Sequence, residues 1–237
     1  MNLPMNLRHL VVSALLAVPA SALFAVPASA QSLDAVFGRM DKAAKQFKGV
    51  TASIRQMVHV AAVNDDSFDN GTMKLKREKA GDTRIFVEYT QPNQKAVAIG
   101  DGELRLYMPK ARVVQVYDLR NKRATVEQGL LLGFGAESSE IKSHYDVSYI
   151  GAEKIDGQPT SHIKLIPKEK EVLQNIKQAD LWISDALGCP VQQRLTTSGA
   201  GDYTQVNYTG LKLNPMLLDR DMKLNTPKGV QIQQVGK

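Results

Sequence analysis

The residues best suited to acid–base or metal chemistry are His59, His144 and His162, and their spacing serves neither. No two of them stand at the separations that bring imidazoles onto one metal. Asp65, Asp66 and Asp69 loosely resemble a calcium loop, but the glycine falls at the wrong position and the acid that ends such a loop is missing. There is no G-x-S-x-G nucleophile elbow. Gly133-Phe134-Gly135 is a fragment of a dinucleotide fingerprint without the strand–turn–helix context that gives it meaning. Cys189 is the single cysteine, so no intramolecular disulfide can form, and it reads as a small buried apolar residue at a strand start. The pattern excludes the common enzyme constellations and calls for no cofactor and no metal. It leaves binding by apolar surface as the available chemistry.

Charge and targeting point the same way. The basic stretch Lys74, Lys76, Arg77 and Lys79 is interrupted by Glu78, followed by Asp82, and has few aromatics beside it. It reads as a solvated strand face and not as a nucleic-acid site. Residues 1–30 read as a secretory signal peptide: Arg8 supplies the positive start, Leu10 to Ala17 the short apolar core, and Ala28-Ser29-Ala30 the small-residue cleavage site. The hexapeptide Ala-Val-Pro-Ala-Ser-Ala occurs at 17–22 and again at 25–30, so cleavage after Ala22 is a weaker alternative. Gln31 follows the main site where a lipid-anchored protein needs cysteine, so an exported, unanchored product of residues 31–237 is expected, folded as one domain. Arg8 is the only charged residue of the leader, so the product carries one positive charge fewer than the +6 of the whole chain.

The elements that position these residues follow from periodicity. Leu33, Val36, Phe37, Met40, Ala44 and Phe47 form one helical stripe, with Ser32 placed to cap its start and Gly49 its end. From Val50 onward the period is near two. Short apolar–polar alternations are separated by turn signals at Asp69-Asn70-Gly71, Asp101-Gly102, Pro109-Lys110 and Asp156-Gly157. Val113 to Tyr117 is apolar on both faces. The segment Leu119 to Ser143, with Leu130-Leu131-Leu132-Gly133-Phe134-Gly135 inside it, breaks the pattern and reads as a looped or short helical insertion. A further turn of helix is expected over Pro215 to Leu218. Ten or eleven short strands joined by hairpins predict a curved antiparallel sheet or barrel, because twisted sheets of this size curl. The helix and the insertion are the material that covers its apolar face.

Ordered motifs then resemble a known family. Gly71-Thr72-Met73-Lys74-Leu75-Lys76-Arg77 is similar to "G-x-L-x-V-K-R", and Arg84-Ile85-Phe86-Val87-Glu88-Tyr89 with Pro92 to "F-R-W-x-Y-x-x-P". Gly100 to Tyr107, Val114-Gln115-Val116, Ile163 to Lys168 and Pro227-Lys228-Gly229-Val230 continue the series in order. The family is the LolA-like periplasmic lipoprotein carriers. Departures are Glu78 where proline is usual, and Val87 and Arg105 where tryptophan is common.

The resemblance implies a mainly β protein: an unclosed antiparallel β-barrel, covered by an N-terminal helix and a short helical lid, around an apolar cavity for acyl chains. It implies a monomeric periplasmic carrier that shields the acyl chains of a lipoprotein or another lipid and takes them towards the outer membrane. An inner-membrane ABC-type releasing complex and an outer-membrane acceptor would be its partners. A periplasmic lipid-binding sensor or regulator of the same fold is the alternative. Alternation along the strands assigns Ile54, Met73, Leu75, Ile85, Val87, Val97, Ile99, Leu104, Leu106, Val114, Val116, Leu181 and Ile183 to the cavity. Leu130, Leu131, Leu132 and Phe134 form a movable lid or a core plug. By the resemblance, Arg77 tethers that lid through backbone carbonyls.

Overall fold

The structure, a computed structural model, describes residues 32–79, 82–120, 132–197 and 201–236. These lie within the unit Gln31–Lys237. The leader, Leu130 and Leu131 lie outside the described residues.

Helix α1 spans Leu33–Ala44, with the Ser32 hydroxyl accepting from the Ala35 amide at 3.2 Å. It stops five residues short of Gly49. Phe47 therefore leaves the helical stripe and packs instead on the sheet beside Val50 and Leu75. Twelve strands follow: β1 (Gly49–Val60), β2 (Asp65–Lys79), β3 (Asp82–Gln91), β4 (Lys95–Gly100), β5 (Glu103–Met108), β6 (Val113–Asp118), β7 (Tyr145–Ile155), β8 (Gln158–Pro167), β9 (Ile176–Ser184), β10 (Pro190–Thr197), β11 (Tyr203–Leu213) and β12 (Gln231–Val235). Short helices α2 (Ser138–His144) and α3 (Lys170–Leu173) precede β7 and β9. A 3₁₀ turn at Asp219–Met222 takes the place of the helical turn expected at Pro215 to Leu218.

The strands form one sheet in the order β12-β6-β5-β4-β3-β2-β1-β11-β10-β9-β8-β7, with β7 and β12 at its edges. The barrel is thus unclosed. The sheet is mixed: every pairing is antiparallel except β12 with β6, which is parallel from Gln231 opposite Val113 to Val235 opposite Tyr117. Tight hairpins carry the local turns, as at Asp101-Gly102, where φ is +52° and +77°. Both values positive is the geometry whose twist matches paired strands.

Alternation gives the sheet two faces. On one face α1 lays Val36, Phe37 and Met40 against Ile163, Leu165, Leu181 and Ile183 of β8 and β9. On the same face Val50, Ala52, Ile54, Met73, Leu75, Ile85 and Ile99 form the core of the β1–β4 half. On the other face Phe86, Ala98, Tyr107, Val114 and Val116 are covered by Met222, Leu217, Leu224 and Val230 of the C-terminal segment.

Candidate functional site

The helix-side face holds most of the residues that alternation assigned to a cavity. Leu75 pairs with Ile85 and Met73 with Val87 across β2–β3. Ile85 and Val87 face Ile99 and Val97, which face Leu104 and Leu106. Burial falls along this series: Leu75, Ile85 and Ile99 are buried, whereas Val87, Val97, Leu104 and Leu106 are half-buried. Leu181 and Ile183 share the face but are sealed beneath α1, in a helix-packed core and not beside the half-buried row.

Val114 and Val116 are corrections to the sequence reading. Each pairs with an opposite-face residue of β5, Val114 with Tyr107 and Val116 with Arg105. Both are buried under the C-terminal segment. The β6 residues that do follow Leu104 and Leu106 on the helix side are Tyr117 and Gln115. Val114 and Val116 are the all-apolar pair and Gln115 is polar, so alternation picked the face that the C-terminal segment covers, and one step reverses a strand's faces.

Polar groups sit within this apolar face, and sequence reading missed them. The Tyr89 hydroxyl donates to Gln56 Oε1 at 2.5 Å, and burial, then the charge of Asp69, push its pKa up to about 12. The Tyr208 hydroxyl donates to Gln193 Oε1 at 2.7 Å, and burial first, then Tyr89, raises its pKa further. Gln193 in turn donates through Nε2 to the carbonyl of Leu132. The signal was present in β10: Gln193 stands at period two between Val191 and Leu195, so its amide had to find partners inside.

Residues 132–138 cross this face as a strap. Phe134 is fully buried and meets Tyr208 edge-on, with centroids 5.1 Å apart. Leu132 and Ala136 pack in the α1 cluster, so the strap joins the two halves of the core. Three side chains from three elements hold its backbone. Gln193 of β10 takes the Leu132 carbonyl. Arg77 of β2 donates through Nη1 to the Gly135 carbonyl at 2.7 Å, its guanidinium 5.6 Å from the Phe47 ring. Asp41 of α1 accepts from the amide and hydroxyl of Ser138 at 2.7 and 2.8 Å, supplying the start of α2 with a cap that its own Glu137 does not provide. Glu78 pairs with Lys76 and leaves Arg77 to the strap. Gly135 has φ +65°, and a Cβ there would lie 2.3 Å from the Phe47 ring, so any side chain would be strained and would have to displace that ring.

The opposite face of β8–β11 is polar and closely linked. His162 stacks on Trp182 at 4.3 Å and bonds Glu153 and Asp180 at 2.8 and 2.9 Å. Trp182 Nε1 donates to Glu153 Oε2 at 2.8 Å. Arg194 spans Trp182 and Tyr203, and Tyr203 stacks on His59 at 4.8 Å. Burial opposes the charge on His162, but the bonds to Asp180 and Glu153 outweigh it and raise its pKa. These groups pair with one another across the strands. Among the described residues no cluster of three or more His, Cys, Asp or Glu side chains could hold a metal, and no helix is long and apolar enough to cross a membrane. Cys189 is buried, and burial pushes its thiol up to about 12.

Comparison with known proteins completes the picture. An outer-membrane lipoprotein carrier protein from Pseudomonas entomophila (strain L48) is 26% identical over 197 residues, covering 83% of this chain and 86% of that protein. No protein-family model matches. The crystal structure of MucB superposes with a TM-score of 0.51 at 16% identity over 82% of this chain, which spans 64% of that structure's length. An uncharacterized conserved protein from Thermus thermophilus gives 0.53 at 11% identity, over 86% of this chain and 99% of that one. Sequence similarity and the unclosed sheet converge on one description: the chain is similar to an outer-membrane lipoprotein carrier protein and has a LolA-like fold.

Proposed function

We propose that the protein is a periplasmic carrier whose helix-side face takes up the acyl chains of a lipoprotein or another lipid and delivers them towards the outer membrane. The observation that carries this reading is the row Val87, Val97, Leu104 and Leu106. It continues a fully buried core yet is itself only half-buried. An acyl chain laid along it loses water contact, worth about 0.8 kcal/mol for each CH₂. Affinity then comes from length and not from polar recognition, which suits a carrier that must later let go. The similarity to a lipoprotein carrier supports the cargo class. Receipt from an ABC-type complex, handover to an outer-membrane acceptor, action as a monomer, and the tethering role of Arg77 with Leu132 and Phe134 on the lid side belong to the same proposal.

The test is binding of a fluorescent fatty acid. Leu106→Asp, in the half-buried row, should weaken it strongly, while Lys74→Asp on the opposite face leaves it unchanged. Equal effects at both sites would sink the reading. Movement of bound lipoprotein to acceptor membranes would separate a carrier from a sensor, which retains its ligand.

A further inference from the structure

Two ends of the sheet expose apolar side chains, and their charges differ. At one end of β1 the hairpin tip places Val63 at 71% exposure, between Val60 and the acids Asp65 and Asp66, with Asp202 holding the Ala61 amide. At the other end, the turn after β11 places Met216 at 92% and Leu218 at 45% exposure. This second turn is firmly held. The Asn214 side chain accepts from the Lys48 amide at 2.7 Å and donates to the Gln46 carbonyl at 2.9 Å. Leu217 packs into the opposite-face core, and the Leu218 amide bonds Asp221 at 2.8 Å. Met216 is therefore presented outward by fixed neighbours on both sides.

Cations outnumber carboxylates in this region. Glu78 and Asp219 are both engaged by Lys76, and Asp221 caps Leu218. Lys45, Lys48, Lys212 and Arg220 are exposed and have no carboxylate partner among the described residues. An exposed thioether and isobutyl group, on a turn flanked in the chain by Lys212 and Arg220 and tied to Lys48, match a surface with an apolar interior below a layer of negative charge. We propose that the Met216–Leu218 turn, with Lys45, Lys48, Lys212 and Arg220, docks this end of the protein on anionic phospholipid bilayers. This interaction surface is separate from the acyl-binding face, and it holds whatever cargo that face carries. Arg77 and the Gly135 carbonyl lie at the same end of β2, so docking would bring one anchor of the strap towards the bilayer.

Co-sedimentation of the protein with vesicles tests this. Binding should appear with phosphatidylcholine vesicles containing phosphatidylglycerol, be weak with phosphatidylcholine alone, and fall as salt rises. Lys48→Glu should reduce it by about fivefold or more, the factor carried by a single cation at an anionic surface. Met216→Glu should also abolish most binding, since it places a charge in the inserted turn. Val63→Glu, at the acidic end, should leave binding unchanged, and fatty-acid binding should be unaffected in all three variants. The proposal fails if Met216→Glu sediments like wild type, if Val63→Glu loses as much, or if fatty-acid binding falls in parallel with sedimentation. It also fails if wild type ignores phosphatidylglycerol, which would leave this face to a protein partner.

Discussion

Replacing Arg77 by leucine removes one of the three anchors of the strap, and the consequence can be sized. The bond lost is a charged donor on a neutral carbonyl, 2.7 Å long, of a class worth about 1.5–3 kcal/mol. Arg77 is half-buried, so solvent screens it and the lower end, about 1.5 kcal/mol, applies. The partly exposed Gly135 carbonyl then turns to solvent for a donor. Leucine keeps the aliphatic contact but removes, with the hydrogen bond, the guanidinium's approach to the Phe47 ring. The free energy for local opening of residues 132–138 should drop by that amount, and backbone amide exchange there should accelerate about tenfold, while β8–β10 amides keep their rates. Hydrogen-exchange mass spectrometry on peptides covering 132–138 reads this directly. Arg77→Lys should give an intermediate rate, because an ammonium can still reach one carbonyl but lacks the planar fork. Unchanged exchange at 132–138, in a variant whose circular dichroism matches wild type, would show that Gln193 and Asp41 hold the strap unaided and that the Arg77 bond is incidental.

Two further outcomes are expected. His162 has a folded pKa raised above 6.5, so the stability it contributes is complete below that value and is lost as pH rises through the folded value. Melting temperature should therefore fall between pH 6 and pH 9, with a smaller fall in His162→Asn. An equal fall in both would assign the pH dependence elsewhere. The Cys189 thiol, buried and pushed up to about 12, should ignore a thiol reagent at pH 8 in the native protein and react fully in denaturant. Rapid native labelling would mean that the loop before β10 opens readily.

Sequence periodicity was a good guide wherever one strand face was apolar and the other polar. The helix-side set from Ile54 and Met73 through Leu106 alternates with Lys74, Lys76, Glu88 and Arg105, and the structure keeps those residues on one face. It failed at β6, where Val114 and Val116 form the apolar face because Met222, Leu224 and Val230 cover it, while polar Gln115 falls on the helix side. No local pattern could announce that cover, since it comes from a segment remote in sequence. The parallel pairing of β12 was hidden for the same reason: Gln231–Val235 is short, mostly polar, and defined only by its neighbour β6. The strap's anchors split along similar lines. Arg77 stood out through a motif and Gln193 through its place between Val191 and Leu195, whereas Asp41 acts on backbone groups far along the chain and carries no local signature.

The sheet order also governs how the chain can assemble. β1 lies between β2 and β11, so the two halves of the sheet meet at a seam formed by the first strand and the last but one to be synthesised. Six strands, β1 to β6, can zip as consecutive neighbours, but β1 keeps a bare edge until β11 arrives. Such late, long-range closure is slow, because the loop entropy is lost before the pairing repays it. Throughout that interval Val50, Ile54 and Val58 stand beside an unpaired backbone, the combination that invites pairing with another chain. The chain is thus most vulnerable to misassociation before the two halves of its sheet have joined.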